Sequence, residues 1–306
     1  YGDHRDLHLS LRRQRQMCIR DSVIAKMLYT NEKYWGDINA PWCAASWMGA
    51  YWGGITQHGY MSAGMFADGW ARGTGAGIDE GRGDGCDTGA FQMTIESCIP
   101  DVEMTELMYP FLYLWRREEM DTAAPGRWRG GASVSLAVVP HNSPSVTIAF
   151  RGTGKYCQQG QSLDGAYPPS FGRSGPAAIF RLKNLKQEMA KGEKPDNVND
   201  LRNYVKKKGG KIKYVEPFEP SQPVTENDVI LSLNAGGGGV GDPLDREPEK
   251  VLADVQRGIF SVEMAEKVFG VIIDPRSQLV DRKATRIKRE EIRAQRRKRG
   301  RLWKEE

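Results

Sequence analysis

Glycine is clustered along this chain, and the clusters limit the folds that it can adopt. The 306 residues include 35 glycines, about 11% against a usual ~7%. Seven fall within residues 72–89, and four are consecutive at Gly236–Gly239. Their spacing does not follow the G-X-Y period, so a collagen-like chain is excluded. Glycine at this density predicts loops and close approaches between backbones.

Between the clusters, the pattern of apolar residues predicts both strands and helices. Residues 134–139 and 146–150 are rich in β-branched residues and are predicted to form paired strands. Residues 178–191 and 197–208 are predicted to be helices, and a charged helix is predicted from Arg282 onwards. The expected fold class is α+β, with mixed β-sheets, glycine-rich loops and a helical C-terminal third.

The chain is predicted to have three parts. Residues 9–22 resemble the peptide obtained when sequencing-adapter DNA is translated, so residues 1–22 are expected to be an artefactual or disordered segment. Residues 23–281 form the main body. Residues 282–306 form a basic tail with twelve Lys/Arg and four Asp/Glu, a net charge of +8 in a chain whose total is +5. Residues 1–281 together therefore carry −3.

Cysteine and histidine argue against two classes of site. The five cysteines have no C-x-x-C spacing, which disfavours a disulfide framework and a zinc ribbon and favours the cytoplasm. His58 and His141 have no partner at ligand spacing, so no metal site is predicted in this chain. No apolar run approaches the ~18 residues that a membrane span needs.

Two nucleotide-binding motifs are matched only superficially. Gly236, Gly238 and Gly241 fit G-x-G-x-x-G, but Asp242-Pro243 follows instead of the opening of a helix, and Asp242 would repel phosphate. Residues 151–155 (RGTGK) lack the remaining positions of a P-loop. Neither motif predicts a nucleotide site.

Acidic residues gather in and after the first glycine cluster. Carboxylates on flexible backbone suit cation or substrate binding, although a solvated acidic loop is the alternative. The group comprises Asp79, Glu80, Asp84, Asp87, Glu96, Asp101, Glu103 and Glu106.

Residues 96–131 and 234–273 together resemble the C-terminal half of the hydantoinase B/5-oxoprolinase family, which includes N-methylhydantoinase B and the alpha subunit of acetone carboxylase. They read ESCIPDVEMTELMYPFLYLWRREEMDTAAPGRWRGG and NAGGGGVGDPLDREPEKVLADVQRGIFSVEMAEKVFGVII. The matching positions are Glu103, Glu106, Tyr109, Pro110, Pro125–Gly131, Gly236–Gly239, Gly241–Pro243, Arg246, Pro248, Asp254, Gly258, Ala265 and Gly270. Ala123-Ala124 depart from the Gly-Gly that is usual in the family.

The resemblance implies a subunit of an ATP-dependent enzyme. Such subunits act with a hydantoinase A-like partner in a hetero-oligomer that hydrolyses a cyclic amide (hydantoin or 5-oxoproline) or carboxylates a ketone. ATP is expected on the partner. A divalent metal such as Mn or Zn is expected to have its ligands in an N-terminal half that this chain lacks. The fragment is therefore expected to be inactive alone.

The same resemblance supplies candidate site residues. The carboxylates suggested as catalytic are Asp84, Glu103 and Asp242. Residues suggested to bind substrate are Arg127, Arg129, Gly237 and Gly238, because guanidinium groups fit carboxylate and phosphate. In the alternative, the arginines pair with nearby acids, and the glycine run only lets two elements pack closely.

Two other functions remain open. The chain could be a non-catalytic scaffold that binds a partner subunit. It could also bind nucleic acid through its basic tail. The second is disfavoured because the tail has one aromatic residue, Trp303, and no interleaved stacking pattern.

Overall fold

The structure is a computed structural model of the 306-residue chain. It describes residues 20–40, 48–66, 73–78, 81–88, 99–152, 162–170, 177–215, 219–233 and 235–300. Most of the adapter-like segment, up to residue 19, lies outside the described residues. So do Asp79, Glu80 and Glu96 of the acidic group and the last six residues of the tail.

The described residues include nine strands, which form two sheets in which every pairing between these strands is antiparallel. A four-stranded sheet has the order β2-β1-β5-β8, and a five-stranded sheet has the order β3-β4-β9-β6-β7. The strands are β1 (Met48–Ile55), β2 (Met61–Met65), β3 (Phe111–Glu118), β4 (Val134–Pro140), β5 (Val146–Gly152), β6 (Ala178–Arg181), β7 (Lys211–Tyr214), β8 (Gln222–Val224) and β9 (Asp228–Leu233).

The described helices lie before, between and after the strands along the chain. They are α1 (Arg20–Tyr29), α2 (Val102–Met108), α3 (Leu185–Ala190), α4 (Val198–Lys207), α5 (Pro248–Gln256), α6 (Val262–Lys267) and α7 (Arg282–Arg299), with 3-10 turns at Glu32–Asp37 and Pro243–Asp245. In the described part of the chain, no helix combines the length and the apolarity needed to cross a membrane. The predicted α+β class is confirmed, and only helices follow Leu233 among the described elements.

The five-stranded sheet is the central layer because both of its faces are covered. Leu136 and Val138 of β4 pack in the core between the two sheets. Ala137 and Val139, on the opposite face, pack against Leu201 and its neighbours on helices α3 and α4. A strand buried on both faces reads as a continuous apolar run, which explains the sequence VSLAVVP.

The predicted pairing of residues 134–139 with 146–150 is wrong. Both segments are strands, but β4 pairs with β3 and β9, whereas β5 pairs with β1 and β8 in the other sheet. The short connection between them crosses from one sheet to the other. The burial patterns reflect the difference, since β4 is buried on both faces while Thr147 and Ala149 of β5 are only partly buried.

The predicted helix over residues 178–191 is also wrong in its first half. Ala178–Arg181 is strand β6, inserted between β9 and β7. The helix begins only at Leu185, after Asn184 turns the chain in a left-handed conformation with φ of 60°. Asparagine tolerates this conformation better than most residues. The second predicted helix is present as α4, with Asn197 as its N-cap.

The basic tail folds back onto the body. Helix α7 begins after Asp281, whose side chain accepts a hydrogen bond from the Ala284 N–H at 2.9 Å. On the face toward the body, Arg289 donates to the carbonyls of Phe269 and Arg246. Further along, Arg296 forms an ion pair of 2.6 Å with Asp242. Much of the tail's charge is therefore used in contacts within the chain.

Candidate functional site

Four glycine-rich segments pack backbone against backbone beside the five-stranded sheet. We call residues 73–76, 85–86, 130–131 and 236–238 the glycine core. A Cβ atom added at Gly130 would lie 1.9 Å from the carbonyl oxygen of Gly237. One added at Gly73 would lie 1.7 Å from the carbonyl oxygen of Gly131. These positions exclude every other residue type because the obstructing atoms belong to the main chain.

Hydrogen bonds tie the four segments together. The Gly131 N–H donates to the Thr74 carbonyl at 2.9 Å, and the Gly131 carbonyl accepts from the Gly237 N–H at 2.9 Å. Cys86 and Gly238 accept from the N–H groups of Thr74 and Ala76 in the same way. The run Gly236–Gly239 therefore packs against the backbone of the other segments.

A group of five buried or half-buried charges adjoins the glycine core. We call Asp84, Asp87, Arg129, Arg246 and Asp254 the arginine–aspartate cluster. Asp84 and Asp87 flank one segment of the glycine core, and Arg129 directly precedes another. Arg246 lies eight residues after the segment that ends at Gly238. Asp254 is presented by helix α5. Residues far apart in sequence thus meet at one point.

Arg129 is 2% exposed and is bound by two carboxylates. Its Nη1 and Nη2 atoms donate to the two oxygens of Asp87 at 2.7 and 3.0 Å, and its Nε donates to Asp254 Oδ1 at 2.9 Å. Nη1 also donates to the carbonyl of Gly130 at 2.9 Å. This is the bidentate geometry in which guanidinium–carboxylate pairs are strongest.

Arg246, at 1% exposure, completes the cluster on the other side. It forms a bidentate ion pair with Asp84, with Nη1–Oδ1 and Nη2–Oδ2 distances of 2.7 and 2.6 Å. Its Nε and Nη2 atoms both donate to Asp254 Oδ2, and Nη1 also donates to the Arg127 carbonyl. Asp254 therefore bridges the two arginines, with one oxygen on each.

The cluster favours the charged forms of Asp84 and Arg129. Burial alone would raise the pKa of Asp84, but hydrogen bonds from the Arg246 side chain and the Arg129 N–H outweigh burial and hold it below its usual value. Burial would lower the pKa of Arg129, yet Asp254 and Asp87 raise it instead. Groups fixed in this way orient loops and set the local field. They are unsuited to exchanging protons near neutral pH.

The structure brings only two of the predicted site residues together. Asp84 and Arg129 meet in the cluster, where the Arg129 N–H also donates to Asp84 Oδ1 at 2.9 Å. Arg127 is exposed, with its guanidinium 5.7 Å from the ring centre of Trp128. Glu103 is exposed in the first turn of α2. None of the contacts between described residues joins it to the cluster.

The other predicted residues have local structural contacts. Asp242 caps the 3-10 turn at Pro243–Asp245 by accepting from the Leu244 N–H at 2.9 Å, and it also pairs with Arg296. Gly237 and Gly238 lie in the glycine core, where their carbonyls accept from the Ala124 and Ala76 N–H groups. Their placement agrees with close packing of two elements, the alternative weighed for this glycine run.

Three members of the cluster were not among the predicted site residues. Asp87 had been grouped only with the acidic loop, and Arg246 and Asp254 only with the positions that match the family. The available signal was the pair Arg246 and Asp254. Both match the family and are buried, and they carry opposite charges eight residues apart. No local spacing could have connected Asp254 to Arg129, which is 125 residues away in sequence.

A metal site is not formed by the residues that the structure describes. No group of three or more His, Cys, Asp or Glu side chains among them could hold an ion. The three aspartates of the cluster are each paired with arginine, which competes with a cation for the same oxygens. The residues present therefore do not fit the divalent metal that the resemblance implies.

Comparison with known proteins agrees with the resemblance seen in the sequence. The profile of the hydantoinase B/oxoprolinase family matches residues 24–243. The delta subunit of acetophenone carboxylase from Aromatoleum aromaticum is 28% identical over 230 residues, covering 72% of this chain and 33% of that protein. The alpha subunit of acetone carboxylase from Xanthobacter autotrophicus is also 28% identical, over 224 residues, covering 72% of this chain and 28% of that protein.

A third relative is a subunit of a caprolactamase. The beta subunit of caprolactamase from Pseudomonas jessenii is 28% identical over 192 residues, covering 62% of this chain and 28% of that protein. The chain thus spans about a third of the length of the curated relatives that it matches.

Solved structures show the same architecture. Nucleotide-free acetone carboxylase superposes with a TM-score of 0.77 and 27% identity, covering 90% of this chain and 36% of that one. ATP-dependent caprolactamase from Pseudomonas jessenii gives a TM-score of 0.58 at 21% identity, covering 83% of this chain and 39% of that one, and shows the fold alone. By its sequence profile and its structure, the chain belongs to the hydantoinase B/oxoprolinase family.

Proposed function

We propose that this chain is the C-terminal part of the large subunit of an ATP-dependent ketone carboxylase. The observation that carries the proposal is the difference in structural similarity, with a TM-score of 0.77 to acetone carboxylase and 0.58 to caprolactamase. The match to acetone carboxylase covers 90% of the chain, so it extends past residue 243, where the family profile ends. Two of the three curated relatives are also subunits of ketone carboxylases.

In this proposal, the chain supplies rigid structure to an active site that it does not complete. The glycine core and the arginine–aspartate cluster fix three loops relative to one another by backbone contacts and paired charges. A hydantoinase A-like partner in a hetero-oligomer would bind ATP. The divalent metal, Mn or Zn, would be held by residues outside this chain. The fragment alone would be inactive, and the complex would work in the cytoplasm.

Among the residues predicted to bind substrate, Arg127 is the one available to an anion. The guanidinium of Arg129 is committed to Asp87 and Asp254. Arg127 is exposed, and no carboxylate of the described residues forms an ion pair with it. We therefore assign to Arg127 the contact with a carboxylate or phosphate, and to Asp84 and Asp242 the positioning of the loops that carry it. Glu103 remains a separate catalytic candidate on α2.

Hydrolysis of a cyclic amide is the second candidate, because the caprolactamase subunit is as similar in sequence as the carboxylase subunits, at 28% identity. A scaffold without catalytic residues is the third. Nucleic-acid binding by the tail is disfavoured further, because Arg282, Lys288, Arg293 and Arg296 pair with carboxylates of the body.

The experiment is to co-express a complete subunit containing this chain with its hydantoinase A-like partner and to measure ATP consumption. Acetone and acetophenone are supplied with labelled bicarbonate, and caprolactam, hydantoin and 5-oxoproline are supplied without it. We expect ATP consumption and label incorporation with a ketone. Consumption only with a cyclic amide would overturn the proposal in favour of hydrolysis. An assembled complex that consumes ATP with none of them would favour the scaffold.

Arg127 is tested in the same complex. Arg127→Gln is expected to raise the KM of the anionic substrate at least tenfold, since a bidentate contact is lost. Lys298→Gln, which removes the same charge from an exposed position on the tail, serves as the control. Equal KM values for Arg127→Gln and the unaltered complex would contradict the assignment.

A further inference from the structure

A groove of about 340 Å³ lies between the tail helix α7 and the first turn of helix α5. Arg282, Arg286, Arg289 and Arg293 line one wall. Their spacings of four, three and four residues place them on a single face of α7. Pro248 and Glu249 of α5 contribute to the lining on the other side. We call this the arginine groove.

The carboxylates of the arginine groove do not balance its arginines. Glu249 pairs with Arg282 at 2.6 Å, and Glu290 lies 4.0 Å from Arg286 on the exposed surface of α7. Glu249 and Glu290 are the two acidic residues of the lining. Asp245, outside the lining, pairs with Arg293 at 2.8 Å. Three carboxylates therefore offset three of the four guanidinium groups, which leaves an excess charge of about +1 in a concave surface.

Arg289 is where that excess is concentrated. It is half-buried, and its Nε and Nη2 atoms donate to the carbonyls of Phe269 and Arg246 at 3.0 and 2.6 Å. Within the described residues, no carboxylate forms an ion pair with it and its Nη1 group has no hydrogen-bond partner. Burial, together with the neighbouring charge of Arg293, lowers the pKa of Arg289. A half-buried cation held only by carbonyls is a position that an anion would stabilise.

Phosphate suits this position better than other anions. Guanidinium groups bind phosphate oxygens in a bidentate manner, and phosphate has enough oxygens to reach Arg289 and a neighbouring arginine of the same wall. The N-terminus of α5 adds partial positive charge, and the cap residue Glu247 makes no side-chain hydrogen bond to that helix. The volume fits a small ligand and is too small for a protein segment of any length.

We propose that the arginine groove binds a phosphate group, either as inorganic phosphate or as part of a small phosphate ester. The inference does not depend on the reaction proposed above, since it uses only the contacts of α5 and α7. It assigns to the basic tail a ligand smaller than nucleic acid. Because Arg289 also donates to the backbone of Arg246, a bound phosphate would be coupled to the arginine–aspartate cluster through one side chain.

The test is isothermal titration calorimetry on the 306-residue chain at constant ionic strength. Inorganic phosphate is titrated first, and AMP is used as the phosphate ester. We expect saturable binding at one site with a submillimolar Kd for at least one of them. Tighter binding of AMP would identify an ester as the ligand, and tighter binding of phosphate would identify the free anion. No saturable heat with either at about 20 mM would overturn the proposal.

Three variants make the test specific to the groove. Arg289→Gln and Arg286→Gln should each weaken binding at least tenfold, whereas Lys298→Gln, on the opposite face of α7, should change it less than twofold. If Arg289→Gln loses its circular dichroism signal, and so does not fold, the binding measured for Arg286→Gln alone tests the proposal. The Arg286 side chain is 79% exposed. Equal weakening by Arg286→Gln and Lys298→Gln would mean non-specific attraction to the tail and would refute a built site.

Discussion

Between the two sheets, the chain is packed by side chains, with Phe66, Phe111 and Ile148 meeting in a core that excludes water. In the glycine core, most of the packing is backbone against backbone, because Gly130 and Gly131 lie directly against the main chains of other segments. Both regions are buried. They differ in whether the surrounding atoms can move when one atom is added or removed.

Side chains can rotate and repack, so an apolar core tolerates changes that conserve volume. A main chain that is already hydrogen-bonded has no such freedom. The arginine–aspartate cluster shares this rigidity, since each of its carboxylates is oriented by at least one guanidinium group. The region with the fewest side-chain atoms should therefore be the least tolerant of substitution.

The strongest test is to add one carbon atom to the glycine core. In Gly130→Ala, the Cβ would lie 1.9 Å from a backbone oxygen, so two segments would have to separate. We expect a loss of stability of about 4 kcal/mol or more, which is enough to abolish cooperative folding. Urea denaturation followed by circular dichroism would measure it.

The matched control is Gly53→Ala in strand β1. Its Cβ would approach nothing closer than Ala63 Cβ at 3.9 Å, an ordinary contact. Since alanine favours a strand more than glycine does, stability should be unchanged or slightly higher. Equal losses for the two variants would mean that glycine serves flexibility rather than close approach.

The next test removes one charge from the cluster. Asp254→Asn takes away the carboxylate that bridges Arg129 and Arg246, leaving two buried guanidinium groups short of a partner. We expect a loss of about 3 kcal/mol in the free energy of unfolding. Asp245→Asn breaks an exposed pair with Arg293 and should lose less than about 1 kcal/mol. Comparable losses would show that the cluster is no more rigid than the surface.

Acid should weaken the cluster through Asp84. Its pKa is lowered in the folded chain, so its contribution to stability is fully present above the unfolded-chain pKa of about 3.9 and is lost as the pH falls through the lower folded value. Between about pH 5 and pH 3, the free energy of unfolding should therefore fall more steeply in the unaltered chain than in Asp84→Asn. Parallel curves would contradict a stabilised carboxylate.

The mildest change belongs to the core between the sheets. Leu136 is fully buried in the central strand β4. Leu136→Met conserves volume and should reduce stability by less than about 1.5 kcal/mol. A loss as large as that of Gly130→Ala would remove the contrast between the two regions. Thermal and urea denaturation would both report it.

Local patterns in the sequence account for most of the fold. The apolar runs of β4 and β5 predicted strands, and the charged pattern from Arg282 onwards predicted the helix that the structure shows as α7. The pairing of β4 with β5 could not be predicted. A five-residue connection is typical of a hairpin, and only the burial of both faces of β4 directs the chain to another sheet.

The site was predictable only in part, for a related reason. Asp84 and Arg129 were identified individually, but their contacts with Arg246 and Asp254 join residues that share no periodicity. Charges that meet across 125 or 162 positions leave no trace in local spacing. The resemblance to a family marked Arg246 and Asp254 as matching positions without indicating that they touch.

The hydrogen bond between the Gly237 N–H and the Gly131 carbonyl closes a loop of more than a hundred residues. Residues 132–236 leave the glycine core as strand β4 and return to it as strand β9. The glycine core therefore cannot assemble until this intervening segment has folded. Contacts that close long loops form late on the path to the native state. Disruption of the arginine–aspartate cluster should therefore accelerate unfolding and leave the rate of folding almost unchanged. The arginine–aspartate cluster then contributes kinetic stability, because it determines how long the folded chain persists before it unfolds.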